Sequence, residues 1–124
     1  MLTLDYVILY VRDVERAVEF YRDVIGLRHR FTRDGYAEFG TGRAKFGLLG
    51  EERAAELVRE MASGGGGSEV LFLVEDVDRQ AERLRGEGVR ILSGPEDRPW
   101  GHRSLHLADP DGHVVELAQE ISSQ

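Results

Sequence analysis

One acidic side chain in the last third of the sequence lies in a setting where it could do chemistry. Residues 109–112 read Asp-Pro-Asp-Gly, which is typical of a tight turn because proline fixes φ and glycine accepts a positive φ. Apolar-rich runs on both sides predict a β-hairpin whose second strand holds Glu116 between Val115 and Leu117. Such a glutamate either faces solvent by simple alternation or points into a cavity, where it can act as a general base.

A second carboxylate, Glu69, begins another predicted strand. If Glu69 and Glu116 both point inwards, a divalent cation can bridge them, since hard oxygen ligands suit Mg²⁺, Mn²⁺ or Fe²⁺. Without a metal, two close carboxylates share a proton, which raises the pKa of one of them and makes it a possible general base. The alternative for Glu69 is a solvated glutamate at the start of a strand.

Three further residues are candidates for contact with a ligand. His106 alternates with leucines in a predicted strand, where it either serves as a metal ligand or base, or is a residue of the polar face. Trp100 and His102 flank Gly101 in a predicted loop. Trp100 can stack on a planar ligand or plug the core, and His102 can contact the same ligand.

The bulk composition limits the function classes. The chain has 124 residues, 41% of them hydrophobic and 31% charged, which is enough for one globular domain. It has no cysteine, hence no disulfide framework and no thiol nucleophile, and its net charge of −7 argues against a nucleic-acid partner. No apolar run is long enough to span a bilayer and no signal peptide is visible, so a cytoplasmic protein is expected.

The elements that position these residues occur twice. A shift of 63 residues places Val11-Arg-Asp-Val14 on Val74-Glu-Asp-Val77 and Tyr6 on Glu69. In each copy a strand is followed by a helix with an aspartate N-cap and then by three strands. The repeat predicts an α+β fold of two βαβββ modules, at about 1–62 and 69–120, joined by the glycine-rich connector 63–68.

Neither module is large enough to bury a core alone. We therefore expect a single domain over residues 1–124, in which the modules form a curved mixed sheet with a concave cleft, within one chain or swapped between two. Because each module buries one sheet face only, a homodimer is expected.

The sequence resembles the vicinal oxygen chelate superfamily, which includes glyoxalase I, bleomycin-resistance proteins and extradiol dioxygenases. The resemblance rests on residues 4–27, on Pro99-Trp100-Gly101 and on the closing hairpin 109–117. It covers essentially the whole chain and implies the fold more specifically than the reaction, because one fold hosts many chemistries.

The resemblance also implies where a metal would bind. Metal-dependent members take His, Glu or Gln ligands from four strand positions, two in each module, and these correspond to Tyr6, Phe46, Glu69 and Glu116. The repeat matches Tyr6 with Glu69, and Phe46 and Glu116 each lie four residues after a turn glycine. Two of the four positions are thus aromatic, which suits an apolar or aromatic ligand better than a metal. The alternative for Tyr6 and Phe46 is ordinary packing in the core.

The sequence therefore predicts a protein that binds a small apolar or aromatic organic molecule, as drug-sequestering members do. One alternative is an enzyme, a lyase, isomerase or dioxygenase that uses Mn, Fe, Ni, Zn or Mg at Glu69 and Glu116. Another is a metal-free acid/base enzyme that uses Glu116.

Overall fold

The computed structural model describes residues 6–57, 68–98 and 101–121. The chain divides into two compact units, residues 1–65 and residues 66–124. Each unit contains its own four-stranded mixed sheet, which confirms the α+β class and the repeated arrangement of one strand, one helix and three strands.

Unit 1 has the strand order β1-β4-β3-β2, in which β1 is parallel to β4 and the other pairs are antiparallel. Its first helix changes from α to π geometry midway and ends at Gly26, which has a φ of 92°. The elements are β1 (Tyr6–Val11), α1 (Val14–Glu19) with its π-helical continuation (Phe20–Ile25), β2 (Arg28–Arg33), β3 (Tyr36–Gly40), β4 (Lys45–Gly50) and α2 (Glu51–Leu57).

Unit 2 repeats this topology with the order β5-β8-β7-β6, and β5 is parallel to β8. Its elements are β5 (Glu69–Leu73), α3 (Val77–Gly86), β6 (Ile91–Arg98), β7 (His102–Ala108) and β8 (Val114–Glu120). The helices α1 and α3 begin in the same way, because Asp13 and Asp76 each accept a hydrogen bond of 3.1 Å from the backbone N–H three residues later.

Each sheet has one face packed against a helix, and we call the other face the open face. In unit 1 the packed face is aromatic, since Tyr21 is fully buried and its ring lies 4.8 Å from Phe46 and 6.4 Å from Phe39. In unit 2 the apolar side of α3, with Ala81 and Leu84, is buried with the inward-facing leucines of β7. The open faces carry Tyr6 in unit 1 and Glu69, His106 and Glu116 in unit 2.

The predicted element bounds agree with the structure to within a few residues. The strand predicted from Gly88 begins at Ile91, because Gly88 takes a φ of 70° and the Val89 N–H donates to Leu84 O at the end of α3. The helix predicted over 51–62 is described as far as Leu57, and connector residues 63–67 lie outside the described residues. No described helix is long and apolar enough to cross a membrane.

Candidate functional site

Glu116 lies on the open face of unit 2, in the middle of β8, and is only 7% exposed. The fully buried Ser104, on the neighbouring strand β7, donates a hydrogen bond of 2.9 Å from Oγ to Glu116 Oε2. A buried carboxylate needs such donors, because leaving a charged acceptor unpaired costs several kcal/mol. The second oxygen, Oε1, is turned towards β7.

His106 joins Glu116 to the other predicted carboxylate. The two residues are cross-strand partners on β7 and β8, and His106 Nε2 lies 3.4 Å from Glu116 Oε1. The same nitrogen lies 3.2 Å from Oε1 of Glu69, whose side chain is about half exposed. We call these three residues the acidic-imidazole group. The structure thus brings together Glu69 and Glu116, which the sequence had considered as a pair, and adds His106, which the sequence had considered as a metal ligand or base.

The other ring nitrogen of His106 faces a serine that the sequence had not singled out. Ser93 Oγ lies 3.3 Å from His106 Nδ1. Strand β6 is irregular here, with register shifts on both sides of Ser93 in its pairing with β7. Gly94 has a φ of 90°, and a Cβ there would lie 2.3 Å from the backbone oxygen of Ser104. The bulged backbone at Gly94 therefore directs the Ser93 hydroxyl to the imidazole.

The donor atoms of the acidic-imidazole group have the spacing of metal ligands. One atom from each residue lies within 4.8 Å of the other two. Neighbouring ligands about 2.1 Å from a cation are separated by about 3.0–3.4 Å in octahedral or tetrahedral geometry. The imidazole–carboxylate separations of 3.2 and 3.4 Å match this spacing. Two carboxylates and one imidazole suit a divalent cation such as Mn²⁺, Fe²⁺ or Zn²⁺.

The strand register identifies the equivalent positions in unit 1. Lys45 lies opposite Tyr6 and Val114 lies opposite Glu69, so Gly47 on β4 corresponds to Glu116 on β8. The residue of β3 opposite Gly47 is Glu38, which therefore corresponds to His106. By the same register Tyr36 corresponds to Ser104. The unit 1 counterpart of the acidic-imidazole group is thus Tyr6, Glu38 and Gly47.

The matching of Phe46 with Glu116 from the sequence is therefore wrong by one residue. The error comes from the turn, because β4 begins three residues after Gly42 whereas β8 begins two residues after Gly112. Phe46 is 3% exposed and packs against Tyr21 and Phe39 on the helix-covered face. It is a core residue of unit 1 and does not reach the open face.

The Tyr36 ring fills the space that a side chain at position 47 would occupy. A Cβ at Gly47 would lie 2.6 Å from the Tyr36 ring. The Tyr36 hydroxyl donates a hydrogen bond of 3.0 Å to Glu38 Oε1, and Arg30 donates one of 3.2 Å to Glu38 Oε2. Burial and the bond to Glu38 raise the pKa of Tyr36 to about 12. Glu38, the only carboxylate among Tyr6, Glu38 and Gly47, is thus already paired with the Arg30 guanidinium and the Tyr36 hydroxyl.

The open face of unit 1 also carries exposed aromatic and aliphatic side chains. Tyr6 is 48% exposed, and Lys45 Nζ lies 5.3 Å from the centroid of its ring. Ile8, Tyr10 and Phe31 are 36–45% exposed, and the Phe31 ring lies 6.0 Å from that of Tyr36. Surfaces of this kind mark binding sites more often than isolated exposed apolar residues do.

The two remaining predicted site residues are placed differently. His102 is the first residue of β7, opposite Glu120 on β8, and its Nδ1 is buried without a hydrogen-bond partner among the described residues. Trp100 lies outside the described residues. The sequence patterns did not single out Ser93, Tyr36 or Glu38 as site residues. Two signals were present: Gly94-Pro95, which predicts an irregularity in β6 next to Ser93, and the alternation that places Tyr36 and Glu38 on one face of β3.

Comparison with known proteins places these features in a family context. The model of the Glyoxalase/Bleomycin resistance protein/Dioxygenase superfamily matches residues 3–117. The uncharacterized protein YraH of Bacillus subtilis is 38% identical over 117 residues, covering 88% of this chain and 91% of YraH. A probable lactoylglutathione lyase from Synechocystis is 25% identical, and the match covers 96% of both chains.

Two further matches concern an antibiotic-resistance protein and a solved structure. The phenazine antibiotic resistance protein EhpR of Enterobacter agglomerans is 29% identical over 116 residues, covering 89% of this chain and 86% of EhpR. A crystal structure of a glyoxalase/bleomycin resistance protein/dioxygenase from Nocardioides is 25% identical, with a TM-score of 0.83 over 100% of this chain and 87% of that one. The matches span both units.

Proposed function

The chain belongs to the glyoxalase/bleomycin resistance protein/dioxygenase superfamily, and on that premise we propose that it binds a small, largely apolar or aromatic organic molecule on the open face of unit 1. One observation carries the proposal. Where unit 2 presents Glu69, His106 and Glu116, unit 1 presents Tyr6, a Glu38 that is already paired, and a Gly47 covered by the Tyr36 ring.

The chemistry of this face favours a planar ligand. Tyr6, Tyr10 and Phe31 expose ring surface, and aromatic contacts contribute about 0.5–1.5 kcal/mol each beyond the area that they bury. The paired Glu38 presents no uncompensated charge that would repel an apolar molecule. The similarity to a protein described as a phenazine antibiotic resistance protein supports the same class of ligand. The role that follows is sequestration, in which the ligand is bound and released unchanged.

Isothermal titration calorimetry with phenazine and acridine, in the presence of EDTA, tests this proposal. We expect one site per chain with micromolar affinity, equivalent to about −8 kcal/mol. Tyr6→Ala should weaken binding about tenfold, because it removes the most exposed ring of the face. Leu92→Ala is the matched control, since Leu92 of unit 2 has a similar exposure of 43%. An unchanged affinity in Tyr6→Ala would reject the open face of unit 1 as the binding site.

A second candidate function is that of a metal-dependent lyase, isomerase or dioxygenase, favoured by the geometry of the acidic-imidazole group. Glu69, His106 and Glu116 would hold the cation, and Ser104 would orient Glu116 through its hydrogen bond. A bound divalent cation would polarise a carbonyl or enolate oxygen of a substrate. Without a metal, Glu116 remains a candidate general base for acid/base chemistry.

Metal content decides between the two functions. The protein is purified without chelators, analysed by elemental mass spectrometry and titrated with Mn²⁺, Fe²⁺, Ni²⁺, Zn²⁺ and Mg²⁺ while thermal stability is followed. About one metal per chain, lost in Glu116→Gln and kept in the control Glu120→Gln on the same strand, would favour the enzyme. No metal and no thermal shift would exclude it and leave ligand binding or metal-free chemistry by Glu116.

We also propose that the protein forms a homodimer. The open face of unit 2 includes Leu71 and Leu73, which are 43% and 58% exposed in the single chain, and such apolar surface is commonly covered by a symmetric partner. Light scattering coupled to size exclusion should give twice the chain mass at micromolar concentration. A monomer under these conditions would contradict the proposal.

A further inference from the structure

Three cationic side chains surround a glycine at one end of the unit 1 open face. Arg28 on β2 lies opposite Gly40 on β3, and the β3–β4 register places Lys45 on the other side of Gly40. Neighbouring strands lie about 4.8 Å apart, so the Cα atoms of Arg28 and Lys45 are about 10 Å apart. Arg30 completes the group, because its Cδ lies 3.6 Å from where a Cβ of Gly40 would be. We call Arg28, Arg30 and Lys45 the cationic cluster.

The cationic cluster has more positive charge than its protein partners neutralise. Glu38 Oε2 accepts a hydrogen bond of 3.2 Å from Arg30, and among the described residues no other carboxylate lies within ion-pair distance of the cluster. Three cations thus face one carboxylate, in a chain whose net charge is −7. Because the buried Glu38 engages one N–H group of Arg30, it holds the guanidinium in place while other donors of its fork stay available.

The adjoining row of the same face is apolar. Phe31 and Ile8 are 39% and 45% exposed, and the Tyr36 ring covers Gly47, which lies next to Ile8 in the sheet. Successive rows on one face of a sheet lie about 7 Å apart, which is shorter than a three-ring aromatic system. A planar ligand that covers the apolar row therefore reaches the cationic cluster with a substituent at its edge.

We propose that the ligand of the unit 1 open face is a planar aromatic carboxylate, whose carboxylate group binds over Gly40 within the cationic cluster. This inference rests on the proposed function, because it specifies the class of organic molecule that the face binds. The forks of Arg28 and Arg30 match the two oxygens of a carboxylate, and the Lys45 ammonium adds a third cation. Since Gly40 has no side chain, the space above it is left to the ligand.

The test compares two ligands that share their rings and differ in charge, phenazine-1-carboxylate and phenazine-1-carboxamide. Both are titrated by calorimetry into the full chain at neutral pH, after metal removal with EDTA and dialysis to remove the EDTA. We expect the carboxylate to bind about tenfold more tightly than the carboxamide at about 50 mM NaCl. This preference should fall to about threefold or less at about 0.5 M NaCl, because salt screens exposed charges.

Four variants locate the preference on the face. Arg28→Gln and Lys45→Met should each weaken carboxylate binding about fivefold and leave carboxamide binding within about twofold of wild type. Gly40→Asp brings its own carboxylate into the cationic cluster and should abolish the preference. Arg33→Gln is the matched control, since Arg33 is an exposed arginine of the same strand that lies opposite Tyr36 instead of Gly40, and it should keep the preference.

The outcomes separate this inference from the proposed function. Equal affinity of the wild-type protein for the two ligands would overturn the inference and leave the proposed function standing, whereas binding of neither ligand would overturn both. A preference that persists in Arg28→Gln, Lys45→Met and Gly40→Asp, or that falls as much in Arg33→Gln as in Arg28→Gln, would overturn the assignment to the cationic cluster. The affinity of each variant for the carboxamide shows whether the face is still folded.

Discussion

Replacing Tyr36 with phenylalanine tests whether the hydrogen bond from Tyr36 to Glu38 stabilises the open face of unit 1. The substitution keeps the ring that covers Gly47 and removes only the hydroxyl, which donates a hydrogen bond of 3.0 Å to Glu38 Oε1. Glu38 is 6% exposed and keeps Arg30 as its other partner at 3.2 Å. The perturbation is therefore one hydrogen bond to a buried carboxylate, with no cavity.

The expected cost follows from that geometry. A hydrogen bond to a charged group contributes about 1.5–3 kcal/mol net, and the retained Arg30 contact and partial exposure of the phenol reduce this to about 1–2 kcal/mol. With a urea dependence of about 2 kcal/mol per molar, the unfolding midpoint of Tyr36→Phe should fall by roughly 0.5–1 M.

The pH dependence gives a second, signed readout. The pKa of Tyr36 rises to about 12 in the folded protein, against about 10 in the unfolded chain. A proton held more tightly in the folded state contributes stability that is complete below about pH 10 and is lost as the pH rises to about 12. The stability difference between wild type and Tyr36→Phe should therefore shrink over this interval.

The matched control is Tyr6→Phe, which removes a hydroxyl from the same open face at a residue that is 48% exposed. We expect a change within about 0.5 kcal/mol at neutral pH. A Tyr36→Phe midpoint equal to that of wild type, or a stability difference that stays constant from pH 9 to pH 12, would refute the role assigned to Glu38 and Tyr36.

Two further substitutions test the backbone that positions the site. Gly94→Ala should cost about 3 kcal/mol or more in urea unfolding, because its Cβ meets the Ser104 backbone oxygen at 2.3 Å and φ is 90°, whereas Gly88→Ala, with open space around it, should cost about 1–2 kcal/mol. Equal costs would contradict the steric argument. Asp109→Ala should cost about 2 kcal/mol by the same assay, since Asp109 Oδ1 accepts from the N–H groups of residues 111 and 113 at 2.9 and 2.8 Å. Asp109→Asn keeps an acceptor and should cost less; the reverse order would contradict the turn interpretation.

Local signals made the fold predictable from the sequence. The residues Asp-Pro-Asp-Gly at 109–112 predicted the turn, and the structure adds the two hydrogen bonds that Asp109 accepts. The equivalent N-cap residues Asp13 and Asp76 helped to identify the repeat, and the structure shows the same capping geometry at the start of α1 and α3. These features depend on a few neighbouring residues, which is why sequence patterns capture them.

The site was less predictable because it depends on register across strands. A turn that is one residue longer before β4 moved the counterpart of Glu116 from Phe46 to Gly47. The contact of Ser93 with His106 arises at an irregularity of β6 that alternation does not anticipate. The covering of Gly47 by the Tyr36 ring requires side-chain positions, which neither periodicity nor the repeat contains.

The fate of a bound ligand tests the central claim most directly. The protein is dialysed to equilibrium overnight against phenazine in EDTA, with free phenazine kept above the micromolar dissociation constant, and both compartments are extracted for liquid chromatography with mass spectrometry. Our account predicts an excess of about one equivalent of chemically unchanged phenazine per chain on the protein side. No excess on that side, or conversion of phenazine to a product by the protein and not by a Glu116→Gln variant, would contradict a sequestration role.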